Sequence, residues 1–208
     1  MNYERWLQLM KNLGFDENKE SYDALIAAYF ESHRYYHNHS HIDAVLATLD
    51  NYSALAENKS EIELALWFHD AIYKPFSSNN EVDSANWACK FLHQNCVPSE
   101  TQKKVHNLIM ATSHSHLPRS NDEMLITNID LAILGSAEVH YSRFKADVRR
   151  EYKKVPDCIY RRKRKAVLKG FLDRGRIYSI NQFYDEYEAQ ARVNLQKELN
   201  QLSQIDVR

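Results

Sequence analysis

The sequence predicts an all-α protein folded as a single domain, and three observations carry that expectation. Gly and Pro number only four each in 208 residues, a scarcity of chain-turning residues that favours helices joined by short loops. Apolar residues recur at helical spacing in segment after segment. Apolar side chains make up 44% of the chain, enough to fill a sizeable core.

Taken in order, the first helix is expected over roughly 3–13, closed by Gly14, and a second over about 21–33, with Tyr22, Leu25, Ile26, Tyr29 and Phe30 on one stripe. The histidine- and aromatic-rich link HRYYHNH follows. Ser40 with Asp43 reads as the start of HIDAVLATLDNYSAL, and Ser60 with Glu63 as a capping box opening SEIELALWFHDAIY. That segment is apolar on nearly all sides, which predicts a central helix running to Pro75. KPFSSNN reads as a polar link, EVDSANWACKFLHQN and SETQKKVHNLIMATSH as helices, HLPRSNDEM as a loop and LITNIDLAILG as a buried run ended by Gly135. Three long helices close the chain, with Ser136, Asp157 and Ser179 as caps and Gly175 as a stop. No repeat or long linker divides it.

Charge excludes some functions. Lys and Arg total 27 against 28 Asp and Glu, so there is no global pull toward nucleic acid or anionic lipid. The run RRKRK at 161–165 reads as a solvated helix face rather than a nucleic-acid site. No segment reaches the roughly 18 apolar residues of a membrane span. The N-terminus has charges inside its apolar part, unlike a signal peptide. Cys89, Cys96 and Cys158 form no CxxC pattern, which points to free thiols in a reducing compartment, the cytoplasm.

Four polar residues stand in apolar surroundings: His41 at a helix start, His69 and Asp70 in the central helix, and Asp130 within LITNIDLAIL. An ionised carboxylate is costly to bury unless it is paired, hydrogen-bonded or bound to metal. No Lys or Arg adjoins either aspartate in sequence. A His-Asp dipeptide alone is common; its apolar setting, repeated at Asp130, gives it weight. A divalent cation would satisfy two carboxylates and two neutral imidazoles together. Such N and O ligands suit Mn, Mg, Co, Ni, Fe or Zn. Adjacent helical residues point about 100° apart, so His69 and Asp70 are expected to meet an ion over the edge between them.

The pattern of a histidine, an adjacent His-Asp and a distant aspartate resembles the HD superfamily of metal-dependent phosphohydrolases. RYYHNHSHI, ALWFHDAIY, NEVDSA, MATSH, NIDLAILG, VRREY and YEAQARVN resemble phrases of a bacterial family of predicted HD phosphohydrolases of about this length. The resemblance implies one HD-type helical bundle over 1–208, with a metal-binding core at about 20–135 and a C-terminal extension at about 136–208. It implies His41, His69, Asp70 and Asp130 as metal ligands. His37 and His41 both fit the histidine-rich motif; His41, followed by Ile42 and an apolar stripe, is taken as the ligand, and His37 as substrate-facing.

The same resemblance places Asp70 and Glu81 in catalysis and His114 in the pocket. Lys74, and Arg34 through its guanidinium fork, are read as holders of phosphate oxygens. Tyr35, Tyr36, Trp67 and Phe76 could face a base, with core packing preferred for Trp67. Arg149, Arg150, Glu151, Glu188 and Arg192 read as ion pairs tying the last helices to the core. The implied activity is hydrolysis of a phosphate ester or anhydride of a nucleotide or other small phosphorylated metabolite, with homo-oligomers compatible with it. Two alternatives remain. One is a di-iron oxygenase, for which His106 and His114 would be the extra ligands. The other is a non-catalytic domain that binds metal or nucleotide.

Overall fold

A computed structural model describes residues 1–114 and 117–204; Ser115 and His116 lie outside the described residues. Every regular element among them is helical. The chain divides into two compact units, residues 1–129 and 130–208.

The first unit holds α1 (Tyr3–Leu13), α2 (Lys19–Tyr29), α3 (His39–Asn51), α4 (Lys59–Phe68), α5 (Asn80–Gln94), α6 (Ser99–Ala111) and most of α7 (Asn121–Leu131). Gly14 ends α1 as expected. Its φ of 74° is left-handed, and its N–H bonds to Lys11, a turn glycine makes without steric cost. α4 is the central helix: every residue from Ile62 to Phe68 is buried, and it packs against α1, α3, α5 and α6. Trp67 meets Trp6 edge-on with ring centroids 5.3 Å apart. Burying each such large apolar side chain contributes about 1.5–3 kcal/mol.

Two caps of the first unit differ from expectation for one reason. Asn38 caps α3 by accepting from Ser40 N at 2.8 Å, and Asn58 caps α4 by accepting from Glu61 N at 3.1 Å. Asparagine caps as well as serine, and Glu63 is turned away to an ion pair with Arg5 at 2.7 Å. Asp122, in the first turn of α7, accepts Glu57 N at 2.8 Å and Asn58 N at 3.0 Å. Thr127 donates to Ala111 O at 3.4 Å. These bonds seat α7 against the start of α4 and the end of α6.

The largest departure is where α4 stops. It ends at Phe68, with His69 as its C-cap, so His69 and Asp70 stand in the turn beyond the helix and not within it. The last carbonyls of a helix have no partners inside it. Local and distant side chains take those carbonyls and the ones of the turn that follows. His69 Nδ1 bonds Leu66 O at 2.9 Å and Tyr29 OH bonds Trp67 O at 3.0 Å. Arg34 donates to Asp70 O at 2.6 Å and Ala71 O at 2.9 Å. Ser84 donates to Ile72 O at 3.4 Å, and Asn80 to Lys74 O at 3.0 Å. Apolar periodicity carries no information about these long-range competitors.

The second unit begins within the last turn of α7. It continues through a short 3-10 helix (Ala132–Gly135), α8 (Glu138–Glu151), α9 (Asp157–Leu172) and α10 (Asn181–Gln204). A Cβ at Gly135 would fall 2.5 Å from Tyr187 Cβ, so glycine permits the close approach of α10. Arg149 bonds Tyr152 O at 2.7 Å and Val155 O at 3.3 Å, and Arg192 pairs with Glu188 at 2.8 Å. These contacts lie within the C-terminal unit. Nor is RRKRK wholly solvated: the half-buried Arg164 pairs with the buried Glu198 at 2.8 Å. No helix among the described residues is long and apolar enough to cross a membrane.

Candidate metal centre

α3 carries His41 two residues into the helix, 5% exposed, and the end of α4 carries His69, 1% exposed. Their Nε2 atoms face each other at 3.1 Å. Asp70 Oδ2 lies 3.2 Å from His69 Nε2 and 3.5 Å from His41 Nε2. Asp130, on the last turn of α7, brings a carboxylate oxygen to the same two histidines, and these three ligating atoms lie within 4.8 Å of one another. Neither His106 nor His114 belongs to that group.

Hydrogen bonding sets the tautomer of His69. The Leu66 carbonyl can only accept, so Nδ1 carries the proton that it donates. In the neutral ring Nε2 is then a bare lone pair aimed at His41 and Asp70, as in metal sites where the far nitrogen is anchored to a carbonyl. Burial alone would raise the Asp70 carboxyl. The imidazoles of His69, His37 and His41 outweigh it and hold that carboxyl well below the usual range. Asp70 is thus an anion beside two imidazole nitrogens, and its side chain keeps 16% exposure to solvent.

The spacing suits a cation. Atoms about 2.0–2.2 Å from one ion lie about 3–3.5 Å apart in tetrahedral or octahedral arrangements. A proton shared between the histidines would satisfy one edge of the His41–His69–Asp70 triangle, whereas a cation would satisfy all three corners. The residues present therefore fit a borderline divalent ion bound by nitrogen and oxygen.

The other expected site residues fall into two groups. His37 adjoins the centre: its ring is 6.1 Å from His41 and stacks on Tyr73 at 4.2 Å. Glu81 lies in the first turn of α5. That turn is tied to the segment after Asp70, because Asn80 brackets the Lys74 backbone and Ser84 Oγ accepts Ile72 N at 3.0 Å. The Lys74 side chain is exposed on that segment. His114 stands just past the end of α6 at φ 54°.

Arg34, read from the sequence as a phosphate holder, is turned toward the main chain in this structure. Its side chain is 0% exposed, and its guanidinium is engaged by carbonyls of Asp70, Ala71 and His37 and by Glu31. Trp67 is core, fully buried; Phe76 is 68% exposed; Tyr36 lies against His41 with centroids 4.9 Å apart. Sequence reasoning missed Tyr73, which packs between His37 and His33. Its signal was its spacing, four residues after His69 in an otherwise apolar run. Comparison with protein-family models, with curated proteins and with solved structures returns no match.

Proposed function

We propose that this protein is an HD-type metal-dependent phosphohydrolase acting on a phosphate ester or anhydride of a nucleotide or small phosphorylated metabolite. The observation that carries this reading is the triangle of His41 Nε2, His69 Nε2 and Asp70 Oδ2, with edges of 3.1–3.5 Å. His69 is held in the ligating tautomer by Leu66 O. A divalent cation held by His41, His69, Asp70 and Asp130 would supply a more acidic water and neutralise phosphoryl oxygens.

The chain's own groups support the rest. Leu66 keeps the His69 ring oriented. Asp70 is anionic and partly open to solvent, so it can orient a water or accept its proton. Glu81 is a second carboxylate on a helix turn bound to the same segment. Lys74 and Phe76 are exposed on that segment and offer a phosphate contact and an apolar surface for a base. His37, backed by Tyr73, lines the approach.

The test is phosphate release from a panel of nucleotides and phosphorylated metabolites, each supplied with Mn, Mg, Co, Ni, Fe or Zn. The His69→Ala protein is the blank. Metal-dependent turnover that the blank lacks supports the reading. Metal binding without turnover on any substrate would favour the non-catalytic alternative.

A further inference from the structure

We infer that Arg34 is a positioning residue for the candidate metal centre, a buried clamp that holds the turn carrying Asp70 against the segment leading to His41. This inference rests on the metal reading above. The guanidinium presents a rigid planar fork of donors, and three of its contacts are main-chain carbonyls. Nη1 donates to Asp70 O at 2.6 Å and to His37 O at 3.1 Å, and Nη2 to Ala71 O at 2.9 Å. Nε donates to Glu31 at 2.9 Å. One side chain thus joins the carbonyl of a ligand residue to a stretch 36 positions earlier. The flat faces are covered as well: the guanidinium carbon lies 5.2 Å from the Tyr29 ring and 5.6 Å from the Tyr73 ring.

The geometry explains why the residue is arginine. The turn after Phe68 has left the helix, so the Asp70 and Ala71 carbonyls have no helical donors. A buried carbonyl without a partner is costly. Lysine keeps the charge but carries its three donors on one nitrogen, without the planar fork that reaches both segments and Glu31 at once. Without the fork, the Asp70 turn and the His37–His41 approach would adjust independently, and the 3.2 and 3.5 Å spacings of Asp70 Oδ2 would no longer be enforced. Groups that orient metal ligands from behind typically contribute about 10–100-fold to metal affinity.

The experiment measures Mn(II) and Co(II) affinity by calorimetry, and the Co(II) absorption spectrum, for wild type, Arg34→Lys and Arg5→Lys. Arg5 is the control, a guanidinium of the same unit that pairs with Glu63 and Asp50 rather than with the ligand turn. The expected result is an affinity loss of about 10–100-fold and an altered Co(II) spectrum for Arg34→Lys alone. Wild-type affinity and spectrum in a folded Arg34→Lys protein would overturn the inference. An equal loss in Arg5→Lys at matched thermal stability would do the same.

A second readout needs no variant. In wild type the Arg34 Nη protons should exchange slowly, give separate nitrogen-15 NMR signals and shift when metal is added. Averaged signals that ignore metal would count against the clamp. Wild-type protein that binds none of the cations overturns the metal reading and this inference together; failure of the arginine measurements alone overturns only the inference.

Discussion

In the C-terminal unit, Glu188 and Glu198 are 4% and 2% exposed, and each is neutralised by an arginine. Glu188 also accepts the N–H groups of Ile177 and Tyr178, and Glu198 accepts the Tyr141 hydroxyl at 2.5 Å. Burial, reinforced by Glu198, pushes the Tyr141 phenol up, so it stays a donor. In the N-terminal unit Glu63 follows the same pattern with Arg5. Asp70 does not. Among the described residues no ion pair joins a Lys or Arg to its carboxylate; histidine nitrogens lie beside it, and the Arg34 guanidinium bonds its backbone instead. A structural carboxylate is satisfied by a permanent cation. One surrounded by imidazole nitrogens, which ligate metals readily, has no such permanent partner and suits an exchangeable cation.

Four substitutions can break or sharpen that contrast. Glu198→Ala leaves Arg164 charged and half-buried, and should cost about 3–5 kcal/mol in urea or thermal unfolding. Cation affinity should stay at its wild-type value. A fall in that affinity in the folded variant would erase the distinction between the two kinds of carboxylate.

His69→Ala should lower cation affinity by at least about 100-fold in calorimetry, since a ligand is removed rather than a support. Added Mn(II) should raise the wild-type Tm, and chelator should reverse the rise, because a ligand bound only by the folded state stabilises it. The variant should show neither effect. A wild-type protein whose Tm ignores cations would place Asp70 among ordinary buried polar groups.

Asn58→Ala tests a site where the polar group only caps a helix. It should lower stability by about 1 kcal/mol and leave cation affinity unchanged.

Asp50→Asn tests an exposed pair. Asp50 is partly buried, which raises its carboxyl, but hydrogen bonds from Arg5 and Lys59 outweigh this and lower it below the ordinary 3.8. A lowered carboxyl stabilises the fold at pH values above its unfolded pKa and loses that contribution as pH falls through the folded one. With 45% exposure the effect should stay under about 1 kcal/mol at neutral pH. The difference between variant and wild type should vanish in acid. A difference that persists at pH 2 would mean that packing, not charge, connects Asp50 to stability.

The helical class was legible because amphipathic period is local: α1, α5 and the last three helices lie close to where spacing puts them. The histidines and aspartates of the centre were legible because His69, Asp70 and Asp130 are polar residues in apolar runs. The clamp was not. HRYYH marks Arg34 as notable, yet a guanidinium suits a phosphate and a carbonyl equally, so residue type could not distinguish a substrate contact from a buried tie. Helix ends were legible only to within a turn where more than one cap was present, as with Asn58 and Ser60.

The sequence by itself determined that the chain is all-α, that α4 is central, and that imidazoles and carboxylates occupy apolar settings. All three follow from near-neighbour periodicity and from the cost of burying charge. Only the tertiary structure decided that α4 stops at Phe68, that His69 is aimed by Leu66 O, and that Arg34 faces the main chain. These depend on which donor reaches a given carbonyl, several of them from distant segments, and a one-dimensional pattern does not contain that competition.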